Sequence, residues 1–120
     1  MNSPKVYKLN FYGETYNIVL AKDTYANNGT LAVFMYCSTP KGKIKEPFGD
    51  LTTNIFDSDL FANDTDSQFV DTNNMGKAII DWLVENNIAT RTNIIGGSGW
   101  CEYPLVKFTK EALEGMVEYQ

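Results

Sequence analysis

There is no histidine in this chain of 120 residues, and that absence removes more chemistry than any motif supplies. It takes away the usual general base, the Ser-His and Cys-His pairs, and every common zinc set except an all-cysteine one. Cysteine is almost as scarce. Cys37 and Cys101 stand 64 positions apart with no CxxC spacing; they are too few for such a zinc site and read as small buried hydrophobes in a reducing compartment. No apolar run approaches the roughly 18 residues of a membrane span, and "MNSPKVYKLN" lacks the apolar stretch of a secretory signal. The expectation is a cytoplasmic protein, in which the sequons at Asn28 and Asn63 carry no meaning. Positive charge is short too. Ten basic residues stand against 15 acidic ones, a net charge of −5, whereas sequence-independent nucleic-acid binding needs a face rich in lysine and arginine.

What is present is apolar and aromatic. Hydrophobic residues make up 43% of the chain, with seven Phe, seven Tyr and two Trp, enough for a core that needs neither disulfides nor metal. "KVYKLNFYG" and "ETYNIVLA" alternate with period two on either side of Gly13, which reads as a hairpin. Asn28-Gly29 is a turn signal because both residues take positive φ. Thr30 to Cys37 is apolar on both faces, the pattern of a central strand. "TPKGKIKEP" reads as a polar connection and "FGDLTTNIF" as a fourth strand.

The period then changes. Met75, Ala78, Ile79, Trp82 and Leu83 recur at three and four, predicting an amphipathic helix of about 13 residues, capped by Asn73 or Asn74 and ended by Asn86-Asn87. "TRTNIIGGSG" reads as a connection and "WCEYPLVKF" as a fifth strand, placed at an edge or with Pro104 turned from its neighbour. Thr109 caps a short last helix with Ala112, Leu113, Met116 and Val117 on its apolar stripe. No repeat, low-complexity tract or linker interrupts residues 1–120. The order ββββ-α-β-α predicts a single α+β domain, an antiparallel sheet of about five strands with two helices packed on one face.

Four stretches invite a functional reading, each with a plainer alternative. "IIGGSGWCEYPL" lacks the Lys-Ser/Thr of a phosphate loop and precedes a strand where such loops precede a helix; Cys101 has no histidine to activate it, so the stretch reads as a turn. "DSDLFANDTDSQ" holds four aspartates. Aligned as a calcium loop from Asp64, it has Phe69 at the glycine position and Met75 at the bidentate glutamate position, so it fails that pattern. The same carboxylates are either solvated or meet a basic partner. Lys41, Lys43 and Lys45 share a face if extended, a ribbon suited to protecting a sheet edge. Trp82 belongs to the helical stripe and the core, whereas Trp100, after glycines at a loop end, is either buried or a binding hot spot. Asp50, Asp81 and Glu102 have no sequence-visible proximity that would make an acid–base pair.

"FVDTNN" leading into "WLVENN", then "GGSGWCEYPLVKF", together with "FYGETYNIVLAKDTYANNGTLAV", resemble a family of small domains of unknown function. That family occurs in Gram-positive bacteria, often on plasmids and conjugative elements, and the similarity runs from about Lys5 to Leu113. It brings no catalytic residues and no cofactor. Accessory genes of such elements commonly encode inhibitors of host defence, so the resemblance implies a candidate anti-CRISPR protein acting on a type II RNA-guided nuclease, whose basic channels suit an acidic binder. The expected contact surface is Asp57, Asp59, Asp64 and Asp66, with Trp100. Direct nucleic-acid binding and membrane association are not expected. A module that binds another element-encoded protein, or forms a homodimer, is the second reading. An enzyme, which would need an unusually reactive Cys101, is the third.

Overall fold

Strict alternation builds the first hairpin. β1 (Val6–Phe11) and β2 (Glu14–Thr24) pair antiparallel with Tyr7 opposite Ile18 and Leu9 opposite Tyr16, so one face carries the apolar set inward. Tyr12 and Gly13 turn the chain with φ of 49° and 80°, the positive pair that a two-residue hairpin requires. The protein is described here from a computed structural model covering residues 4–26, 29–54, 66–98 and 100–119. Of the expected Asn28-Gly29 turn, Gly29 takes φ of 71° and donates its N–H to Tyr25 O at 2.8 Å, while Asn28 lies outside the described residues.

β3 (Leu31–Ser38) is central, as its two-sided apolar pattern requires, between β2 and β4 (Ile44–Asp50). The polar connection expected over "TPKGKIKEP" is therefore in large part a strand. It is polar because it forms an edge: Lys45 and Pro47 cost little where one side of the backbone faces solvent. The predicted fourth strand divides. Phe48 to Asp50 finish β4, and after Leu51 the residues Thr52–Thr53 form β5 of a second sheet; Ile55 and Phe56 lie outside the described residues. Leu51 N–H donates to Val33 O (3.0 Å) and Leu51 O accepts Asp71 N–H (2.9 Å), which fixes the crossing point between sheets.

The second sheet has the order β5-β6-β8-β7, with β6 (Ser67–Val70), β7 (Ala89–Ser98) and β8 (Cys101–Phe108). The predicted helix is broken into α1 (Thr72–Met75) and α2 (Ala78–Glu85) by Gly76 at φ of 85°. Its cap is Asp71, whose Oδ1 accepts Asn74 N–H at 3.1 Å, in place of Asn73 or Asn74. Asn86 and Asn87 do end it. α3 (Lys110–Glu114) is capped by Thr109, whose Oγ1 accepts Ala112 N–H at 3.1 Å. The chain then adds β9 (Val117–Glu118), parallel to β2 where β1 has ended.

The α+β antiparallel class holds, with nine strands in two sheets and three helices among the described residues where about five strands in one sheet and two helices were expected. The core lies between the layers: Ile18, Leu20, Val33 and Met35 from the first sheet meet Ile79, Trp82, Leu83, Val106 and Phe108. Trp82 is core, as the stripe predicted; its indole N–H donates to Lys8 O at 2.7 Å. Cys37 and Cys101 are free and only half-buried, which corrects the expectation of two buried thiols. No helix among the described residues is long and apolar enough to cross a membrane.

Candidate interaction surface

β6 pairs with β8 only from Leu105 to Lys107, so the rest of β8 and its partner β7 project as a two-stranded arm. The arm begins at an irregularity. Arg91 lies opposite Val106 and Ile95 opposite Pro104, so two extra residues of β7 bulge out. Thr92 stitches the bulge, its Oγ1 donating to Leu105 O (2.7 Å) and accepting Ile94 N–H (3.2 Å). Pro104 sits past the β6 ladder and against the bulge, where a missing N–H costs least. β8 is interior where β6 pairs with it, from Leu105 to Lys107. At Pro104 it has only β7 beside it, so the proline falls where the strand is locally an edge.

The arm is short of polar cover. Trp100 is 104% exposed, Ile95 63% and Ile94 40%, and a bulge is a common device for re-aiming side chains in this way. A cleft of about 680 Å³ runs between the arm and α1–α2, with Thr72, Asn73, Lys77, Ile80, Ile95 and Trp100 on its walls. Arg91, which also lines it, pairs with Asp81 of α2. Below Trp100, Cys101 has a phenol as its neighbour: the hydrogen bond to Cys101, and then burial, push the Tyr103 hydroxyl above its ordinary value. A phenol so raised is no base at neutral pH. Cys37, on the other sheet, is pushed up by burial and by the charge of Glu46.

Of the predicted contact residues, Asp66 and Trp100 fall among the described residues, and these two lie apart. Asp57, Asp59 and Asp64 lie outside the described residues. Asp66 leads into β6, where its carbonyl accepts Phe108 N–H at 2.8 Å; Trp100 is beyond the other end of β8, about 26 Å away at roughly 3.3 Å per residue. The calcium reading fails on position as well as type. Phe69 and Met75 are buried, and the Gln68 amide is committed to Leu31 O at 2.7 Å. No metal-holding cluster of three acidic or cysteine side chains occurs among the described residues. Asp50 is on β4, Asp81 on α2 with Arg91, and Glu102 on β8. Lys45 lies on edge strand β4, with Lys41 and Lys43 in the turn before it.

Sequence reasoning missed Ile94 and Ile95. Their signal was two adjacent isoleucines between Asn93 and Gly96, a run too interrupted by glycine to read as a strand. A family described as a domain of unknown function (DUF4313) matches residues 19–119, from the middle of β2 onward. No curated protein and no solved structure matches the chain.

Proposed function

We propose that the chain, which belongs to the DUF4313 family, is a non-enzymatic binding protein of a mobile genetic element that inhibits a type II RNA-guided nuclease. The observation that carries the binding role is Trp100, 104% exposed on a projecting arm beside Ile95. Such an aromatic anchor with apolar neighbours is the usual centre of a protein–protein contact. The net charge of −5 favours encounter with the basic channels of an RNA-guided nuclease, and the lack of histidine leaves little for acid–base catalysis. The nuclease as target rests on the resemblance of "VDTNN" and "SGWCEYP" to the family of plasmids and conjugative elements.

The test is target cleavage by type II nucleases, with the protein added before guide RNA or before DNA. Dose-dependent inhibition is expected, and Trp100→Ala should weaken it at least tenfold while leaving the melting temperature within about 2 °C. Full inhibition by Trp100→Ala would remove the arm from the contact; no inhibition of any nuclease would remove the target. The open edge of β7 favours a second reading, in which the domain self-associates or pairs with another element-encoded protein. A concentration-dependent mass in sedimentation, abolished by Ile95→Lys, is its signature.

A further inference from the structure

Two locally unfavourable choices border one groove. Tyr12 holds φ of 49°, a conformation in which a bulky side chain is an outlier and Asn or Gly would be unstrained. Its ring is nonetheless 89% exposed and rests edge-on against Phe11, centroids 4.5 Å apart. Glu85 is the last residue of α2, where the helix macrodipole favours a cation, and no basic residue occupies that turn. Asp81 stands one turn earlier, so like charges face each other at i and i+4. All three residues line a groove of about 470 Å³ between α2 and the β1–β2 turn, with Leu9, Met75, Ile79 and Trp82 beneath. Asp81 serves the fold, in the first turn of α2 and paired with Arg91. Tyr12 and Glu85, however, each break a local rule, and such violations on one concavity mark a site.

The chemistry of the rim says what fits. An aromatic face beside two carboxylates attracts a cation, and an apolar floor accepts the aliphatic stem and its neighbours. Asp81 is paired with Arg91, which reaches it from the other cleft. Glu85 has no salt bridge among the described residues. Lys77 is the groove's cation, but it lies eight residues before Glu85 along the helix, about 12 Å, which leaves the carboxylate end to the occupant's charge. A guanidinium satisfies both parts better than an ammonium, because it stacks on a ring and forks onto a carboxylate. We propose that this groove binds an arginine-bearing apolar segment of a partner protein. It lies across α2 from the arm and does not depend on the nuclease reading.

The probes are two tetrapeptides, acetyl-Leu-Leu-Arg-Leu-amide and its counterpart with glutamate for arginine, titrated against the isotope-labelled chain by NMR. The arginine peptide should shift the Tyr12 and Glu85 amides and the Trp82 indole N–H, and should bind at least tenfold tighter than the glutamate peptide. Tyr12→Asn and Glu85→Lys should each raise the melting temperature, by relieving the backbone and by matching the dipole, while weakening that binding at least fivefold. Equal binding of the two peptides, shifts confined to the arm, no shifts at all, or full affinity in both variants would each overturn the proposal. So would a lower melting temperature in both variants, which would show that these residues serve the fold.

Discussion

Gln68 is a polar side chain with almost no exposure, and every part of its amide is used. Its Nε2 donates to Leu31 O at 2.7 Å and to Thr30 Oγ1 at 3.1 Å, and its Oε1 accepts Phe69 N–H at 2.9 Å. One side chain thereby ties β6 of the second sheet to the entry of β3 in the first. A buried group left without its partner costs about 1–3 kcal/mol. Gln68→Met keeps the volume but leaves Leu31 O and Phe69 N–H without this amide; it should lower stability by about 2 kcal/mol in urea titration, with an unchanged m-value. A loss under about 0.5 kcal/mol would mean that water replaces the amide.

At the scale of elements, the stretch from Thr109 onward holds more than its length suggests. Thr109 caps α3 and also donates its hydroxyl to Asn87 O at 2.8 Å, so it joins two chain segments. β9 then lies on β2, Tyr119 N–H donating to Lys22 O at 2.9 Å, and the Tyr119 ring stacks on Phe34 with centroids 4.4 Å apart. Removing residues 116–120 uncovers the edge of β2 at Ala21 and Lys22 together with the aromatic face of β3. An unpaired edge beside exposed aromatics templates association. The truncated chain should therefore elute as a larger species in size-exclusion chromatography at concentrations where the full chain does not.

The elements legible in the sequence were those whose pattern is set by one neighbour. The β1–β2 hairpin, the interior position of β3, the Thr109 cap and the burial of Trp82 each follow from a local period or a single capping side chain. β4 and β7 were not legible, because an edge strand has no obligatory alternation: "IKEPFGD" carries Pro47, and "NIIGG" carries a bulge. β6 is only four residues long and buried on both faces, too short to show a period. The candidate surface was half visible. Trp100 stood out beside its glycines, but that Ile95 shares its cleft depends on a two-residue register slip that no periodicity encodes.

For the molecule as a whole, the lack of histidine governs its response to pH. No side chain of that type titrates between pH 6 and 8, so stability should be nearly flat there. At alkaline pH the sign is set by groups raised in the folded state. Burial pushes up the phenols of Tyr25 and Tyr7, the latter helped by Glu111, and burial with Glu46 pushes up the Cys37 thiol. Each favours the protonated form when folded. Its stabilising effect is complete below the unfolded value, about 8.5 for cysteine and about 10 for tyrosine, and is lost as pH rises through the folded one. The melting temperature should hold from about pH 6 to 8 and fall above about pH 9. A fall between pH 6 and 7 would contradict this assignment.

The pairing of Ala21 with Val117 joins residues 96 positions apart. A ribosome adds about 5–20 residues per second, so roughly 5–20 s separate the synthesis of β2 from that of the strand that covers its edge. Throughout that interval the nascent chain presents an open template to its neighbours on the same message. For this fold the vulnerable moment is its birth, and the arrival of β9 is the step that makes it safe.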